Sequence, residues 1–166
     1  MRSWCVFLKY KTVATGGTFD HIHKGHVALL TKSFEVGETV VIGVTSDAFA
    51  RKEGKNPDQS YQERLRFLKA LIRQRFPGRK YIIAKLDDYF GPGIASPDVQ
   101  AIVVTRETAK RVSLANTLRG VKGYPPLEVV LVDYILADDS RLISSTRIRK
   151  GEIDAEGRPL RMSGRE

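Results

Sequence analysis

Thr12-Val-Ala-Thr15-Gly-Gly-Thr18-Phe-Asp20-His-Ile-His23-Lys-Gly-His26 is the stretch that decides the fold of this 166-residue chain. An apolar run, Thr12–Thr15, meets a small-residue turn, and a helical pattern opens behind it. Gly16 and Gly17 let the backbone turn tightly and approach a ligand with no Cβ in the way. Thr18 offers a hydroxyl and an N–H to a phosphate oxygen. His23 and His26 stand three apart at a helix start, a spacing that puts both on one side. Free N–H groups and the positive end of the helix dipole complete an anion site, and the dipole favours neutral imidazoles there. Gly25 between them leaves room for a phosphate or a base.

Working outward, further apolar runs alternate with helical patterns. Strands are expected at Thr39–Thr45, Tyr81–Leu86, Ala101–Val104 and Glu128–Tyr134, besides Thr12–Thr15. Their near-continuous hydrophobicity is that of buried parallel strands. A first helix carries Val27, Leu30 and Phe34 on one face and stops at Gly37. Asp20 is expected to cap it. Ser60-Tyr-Gln-Glu63 is a capping-box pattern opening a second helix. Its apolar stripe is Tyr61, Leu65, Leu68 and Ile72, with the arginines facing water. A third helix is expected from an N-cap at Thr105 to about Gly120, and a short last one from Ser144 or Ser145 to Gly151. Arg51–Pro57, Gly91–Pro97 and Lys122–Pro126 read as loops. The alternation predicts an α/β, Rossmann-like, doubly wound five-stranded parallel sheet in a single domain, with ligands beyond the carboxyl ends of the strands. Residues 1–9 read as an N-terminal extension, 10–156 as the domain and 157–166 as a polar, frayed tail.

Composition narrows the class. Hydrophobic residues at 42% exclude disorder, and no apolar run approaches the roughly 20 residues a membrane helix needs. Residues 4–8 are too short for a secretory core, so a cytoplasmic protein is expected. A single cysteine, Cys5, allows no internal disulfide and no cysteine metal cage. The net charge of +9 raises nucleic acid as a partner. The basic residues are spread along the chain rather than gathered with aromatics, and that favours small phosphate-rich substrates instead.

Neither dinucleotide G-x-G-x-x-G nor Walker A spacing occurs, and two histidines three apart with no third ligand are not a zinc signature. No metal-ligating residues are therefore assigned. A second motif lies at Ile143-Ser-Ser-Thr-Arg-Ile-Arg149. Hydroxyls and N–H groups at a helix start suit phosphate oxygens, and Arg147 and Arg149 add charge. Alone, it also fits an ordinary capped surface helix.

Taken together, G-G-T-F-D-x-x-H-x-G-H and I-S-S-T-R-I-R resemble the nucleotidyltransferase superfamily with H-x-G-H and I-S-S-T signatures. Within it the chain is similar to the archaeal and eukaryotic branch of phosphopantetheine adenylyltransferases. Val44-Thr-Ser-Asp47 with Lys52, Val104-Thr-Arg-Glu-Thr108 and Pro125-Pro-Leu-Glu-Val-Val130 carry that narrower likeness, which spans roughly residues 10 to 153.

The resemblance implies transfer of AMP from ATP to 4′-phosphopantetheine, giving dephospho-coenzyme A and pyrophosphate. It implies that Gly17 and Thr18 bind phosphate oxygens where the substrates cross. His23 and His26 donate to the triphosphate, with His26 nearest the α-phosphate. Ser144, Ser145 and Thr146 hold the β- and γ-phosphates. Lys52 reaches the reacting phosphate, with Lys55 as its rival, and Arg106 contacts nucleotide or acceptor phosphate. Mg²⁺ comes with ATP, bound through phosphates and water. The partners implied are ATP and 4′-phosphopantetheine, with no membrane and no nucleic acid expected; the oligomeric state stays open, a monomer being slightly favoured. Two alternatives stay open: a sibling transferase using flavin mononucleotide, nicotinamide mononucleotide or glycerol 3-phosphate, and a non-catalytic nucleotide- or RNA-binding module.

Overall fold

Five strands, all parallel, lie in the order β3-β2-β1-β4-β5 in a computed structural model that describes residues 8–161. The chain runs β1 (Tyr10–Gly17), α1 (Lys24–Val36), β2 (Gly37–Thr45), α2 (Asp47–Lys52), α3 (Tyr61–Arg75) and β3 (Lys80–Leu86). It then crosses to the other side of β1 for α4 (Pro92–Ala95), β4 (Ala101–Thr105), α5 (Arg106–Ala109), α6 (Val112–Val121), β5 (Glu128–Val132) and α7 (Ser145–Arg149). The topological switch point therefore lies between β1 and β4, and the glycine turn that follows β1 opens onto it.

The strand pleat explains the continuous apolar runs. Val13, Val40, Ile42 and Val103 point to a core shared with Leu30, Phe34, Leu68 and Ile72 of α1 and α3. Their neighbours Ala14, Val41, Ile102 and Val104 point to the opposite face, against Val112 and Leu127. The five expected strands are all present, with small changes of boundary. Only β1, β2 and β4 are buried; β3 and β5 are edge strands and largely exposed, because nothing pairs their outer sides.

Other expectations are corrected. The first part of the Arg51–Pro57 loop is the end of α2, and the Gly91–Pro97 loop contains α4. The helix expected from Thr105 is two helices, α5 and α6. Thr105 makes no side-chain cap, and its hydroxyl pairs with that of Thr108 instead. The arginines of α3 do not all face water: Arg64 is fully buried. The tail does not fray within 157–161. Asp138 donates to the Gly157 carbonyl, Leu160 donates to that of Glu152, and Ile153 pairs with Pro159. Residues 1–7, most of the expected N-terminal extension, and 162–166 lie outside the described residues. Among the described residues no helix is long and apolar enough to cross a membrane.

Candidate active site

The loop between β1 and α1 departs from ordinary backbone geometry. Phe19 (φ 55°) and His21 (φ 45°) both occupy the left-handed region, where a non-glycine residue costs on the order of 1–3 kcal/mol. Surrounding bonds hold them there. Phe19 is fully buried, and the His21 N–H donates to Gln59 Oε1. His21 Nε2 lies 2.8 Å from Asp58 Oδ2.

Asp20 does not cap α1; His23 does. His23 Nδ1 accepts from the Gly25 N–H (3.0 Å), and the His23 N–H donates to His26 Nδ1 (3.3 Å), a capping box made of two imidazoles. With both Nδ1 atoms accepting, each neutral ring carries its proton on Nε2. The rings stack at 3.9 Å, and Phe19 closes on His26 at 5.1 Å. Neither Nε2 finds a partner among the described residues, and neither is sealed from solvent. Burial pushes His23 down to about 4. It also holds His26 well below the usual histidine range, with the nearby charges of His23 and Lys55 adding to it. The site thus presents two uncharged N–H donors side by side. Gly25 serves this arrangement more directly than ligand access: a Cβ there would sit 2.8 Å from His23 Cε1.

Asp20 is instead the joint between the two motifs. Its buried carboxylate accepts from the Asp58 and Gln59 N–H groups and from Arg149 Nη1 at 2.7 Å. The Ser145 hydroxyl donates to the Asp20 carbonyl at 2.6 Å. Thr146 Oγ1 accepts from Arg149, and Ser144 Oγ caps α7 by accepting the Arg147 N–H. Of the three hydroxyls expected to hold β- and γ-phosphates, Ser145 thus spends its hydrogen within the protein, whereas Ser144 and Thr146 accept and keep theirs for a ligand. Arg147 is not a free surface charge: it is held by Asp139, Glu152 and the Leu142 carbonyl.

Thr18 stays available. Its Oγ1 accepts from Thr45 Oγ1 at 3.2 Å, which leaves its own hydroxyl hydrogen for a ligand. Lys52 ends α2 and is exposed. Beyond it Gly54 turns left-handed (φ 73°), with the Lys55 N–H closing on the Ala50 carbonyl, a reversal only glycine makes cheaply. Lys55, just beyond the reversal, lies within electrostatic range of His26. Arg106 opens α5 at the carboxyl end of β4, exposed and with no hydrogen-bond partner among the described residues.

Sequence reasoning missed Arg64 and Asp47. Arg64 donates to the Thr18 carbonyl (2.6 Å), the Gln59 carbonyl (3.2 Å) and Asp47 Oδ1 (2.7 Å). The signal was present: Arg64 falls on the same stripe as Leu68 and Ile72, four and eight residues on.

An open parallel sheet with a glycine loop, paired imidazole donors and a serine-rich helix start converging at its switch point defines an α/β fold of the phosphate-binding class. The chain belongs to the cytidylyltransferase-like family, whose sequence profile matches residues 14–151. It is 39% identical over 146 residues to a Methanopyrus kandleri protein named phosphopantetheine adenylyltransferase, covering 88% of this chain and 92% of that one. A Methanothermobacter thermautotrophicus protein of the same name is 44% identical over 149 residues, covering 90% and 89%. Among solved structures, a protein of unknown function from Archaeoglobus fulgidus is 28% identical with a TM-score of 0.67, covering 74% of this chain and 89% of that one.

Proposed function

We propose that this protein is a cytoplasmic phosphopantetheine adenylyltransferase of coenzyme A biosynthesis. It transfers AMP from MgATP to 4′-phosphopantetheine and releases pyrophosphate. The observation that carries the acceptor is the likeness, 39% and 44% over about nine-tenths of the chain, to archaeal proteins of that name. The site supports the chemistry independently.

In the proposed reaction a phosphate oxygen of the acceptor attacks the α-phosphorus in line. The new P–O bond forms as the α–β bridging bond breaks, and pyrophosphate leaves. The nucleophile is already an anion, so positioning and charge stabilisation suffice. Two neutral Nε2–H donors fit that need, since they bind phosphate oxygens without surrendering a proton. We assign His26 and His23 to the triphosphate, with His26 at the α-phosphate. Thr18 and Gly17 meet the crossing phosphates, and Lys55, in preference to Lys52, faces the charge that develops. Arg106 reaches nucleotide or acceptor phosphate from the far side of the switch point. The N–H groups at the start of α7 take the outer phosphates with the Ser144 and Thr146 hydroxyls, and Ser145 ties that end to Asp20. Mg²⁺ arrives with ATP: the described residues hold no cluster of His, Cys, Asp and Glu arranged for a metal ion, and the phosphates supply hard oxygen ligands.

Pyrophosphate release measured with ATP and with CTP against 4′-phosphopantetheine, flavin mononucleotide, nicotinamide mononucleotide and glycerol 3-phosphate tests this reading. Turnover only with ATP and 4′-phosphopantetheine is expected. Faster turnover with another pair, or none with any, refutes the assignment.

A further inference from the structure

Arg64 is fully buried and, with Arg119, one of the two bulkiest such side chains among the described residues. Its neighbours on the α3 stripe, Leu68 and Ile72, are apolar, and an apolar residue here would avoid burying a charge. What the guanidinium does is join the segments around residues 18, 47 and 59. Nη1 holds the Thr18 carbonyl, in the loop between β1 and α1, at 2.6 Å. Nη2 holds the carboxylate of Asp47, the first residue of α2, at 2.7 Å. Nε meets the carbonyl of Gln59, whose own N–H binds Asp20. The Tyr61 ring lies 5.7 Å from the guanidinium, and the Tyr61 N–H binds the other Asp47 oxygen at 3.2 Å. Asp47 is thereby gripped from two sides. The helix it opens ends at the Gly54 turn, where the Lys55 N–H closes on the Ala50 carbonyl and ties Lys55 to that helix.

We propose that Arg64 is a positioning residue for adenylyl transfer: by holding the Thr18 carbonyl and the Asp47 carboxylate on one rigid fork, it sets the spacing between the Thr18–His26 side of the site and Lys55. The inference rests on the reading of this site as the seat of phosphate chemistry. It does not depend on which acceptor is used. A planar guanidinium carries donors in fixed directions, and a lysine ammonium does not. Charge alone therefore cannot replace it.

Arg64→Lys and Asp47→Asn test the proposal. Asp47→Asn leaves the Thr18 and Gln59 bonds of Arg64 in place, and it serves as the probe if Arg64→Lys does not fold. In Arg64→Lys, kcat for pyrophosphate release is expected to fall about 100-fold, the cost of misplacing reacting groups by about 1 Å. KM for ATP changes far less. Asp47→Asn falls by less, and the double variant is no slower than Arg64→Lys. The second readout needs no substrate: burial, and after it the charges of His23 and Lys55, depress His26, so loosening the Thr18 loop and the helix that Lys55 follows moves the His26 titration, followed by NMR, upward in both variants. Unchanged kcat per folded molecule in either variant, or a His26 titration that stays at the wild-type position, overturns the proposal. If the wild-type protein shows no turnover with any acceptor, the functional reading fails, and the NMR titration still decides the role of Arg64.

Discussion

The His23 N–H donates to His26 Nδ1 while the two imidazoles stack at 3.9 Å. One bond thus caps a helix and selects the tautomer of the ring it reaches. Both rings are then left with an Nε2–H facing outward, which is the form a phosphate oxygen accepts from. Local helix chemistry and the proposed catalysis share the same atoms.

Replacing His26 separates those two jobs. His26→Gln keeps a side chain that can accept the capping bond, whereas His26→Ala loses about 1 kcal/mol of cap. Both are expected to lose turnover by at least about 100-fold, the scale of removing one transition-state donor. Thermal unfolding beside pyrophosphate release checks this: near-wild-type activity in either variant refutes the role of His26.

Gly25→Ala should separate activity from stability. Alanine favours a helix over glycine by up to about 1 kcal/mol. Its Cβ, however, would come 2.8 Å from His23 Cε1 and force that ring off its stack. Stability close to wild type with turnover reduced about tenfold or more is expected, on the scale of small misplacements at a reacting centre. Crystallography of the variant would show whether the ring has moved.

Lys55→Ala is expected to cut kcat more than Lys52→Ala, because the Lys55 charge adds to the depression that burial imposes on His26. Its removal should also raise the His26 titration, since the Lys55 charge depresses it. A larger kinetic effect from Lys52 would reverse the assignment.

Stability should fall in acid ahead of the carboxylates. His23 titrates at about 4 in the folded protein and at 6.5 when unfolded. Between those values the unfolded chain binds more protons, so unfolding free energy declines as pH drops from 6.5 toward 4 and is fully present above 6.5. A shift of that size corresponds to about 3 kcal/mol. His26 contributes with the same sign. Urea titrations across this window should show the slope, and His23→Asn, which retains a capping oxygen, should flatten it.

Asp20→Ala leaves Arg149 and the N–H groups of Asp58 and Gln59 without their acceptor. Removing one partner of such a buried pair costs about 3–5 kcal/mol. Chemical denaturation measures it, and Asp20→Asn, which keeps an acceptor, should lose less. Equal losses would mean that the charge of Asp20 is the larger part of its role.

Much of the architecture was legible before any coordinates. The β1 and β2 runs, the Ser60–Glu63 capping box and the stop at Gly37 depend on neighbouring residues alone, and each appears where its pattern places it. Edge exposure of β3 and β5 was not legible, because an edge strand differs from a central one only in what lies beside it. Arg64 was misread for a related reason. Its place on the Leu68 and Ile72 stripe hinted at burial, but the Thr18 and Asp47 acceptors that let a guanidinium be buried come near only in the fold.

By itself the sequence determined the parallel sheet, the glycine turn at its switch point and the two phosphate motifs, since these follow from periodicity and backbone chemistry within a few residues. Tertiary structure decided how the motifs are used. It joined them through Asp20, bonded Ser145 back into the protein, set the Lys55 charge within electrostatic range of His26 and buried the Arg64 fork beneath Thr18. The physical reason is that a hydrogen bond or a charge acts over a few ångströms of space, and the chain brings residues 20 and 149 to that distance only when folded.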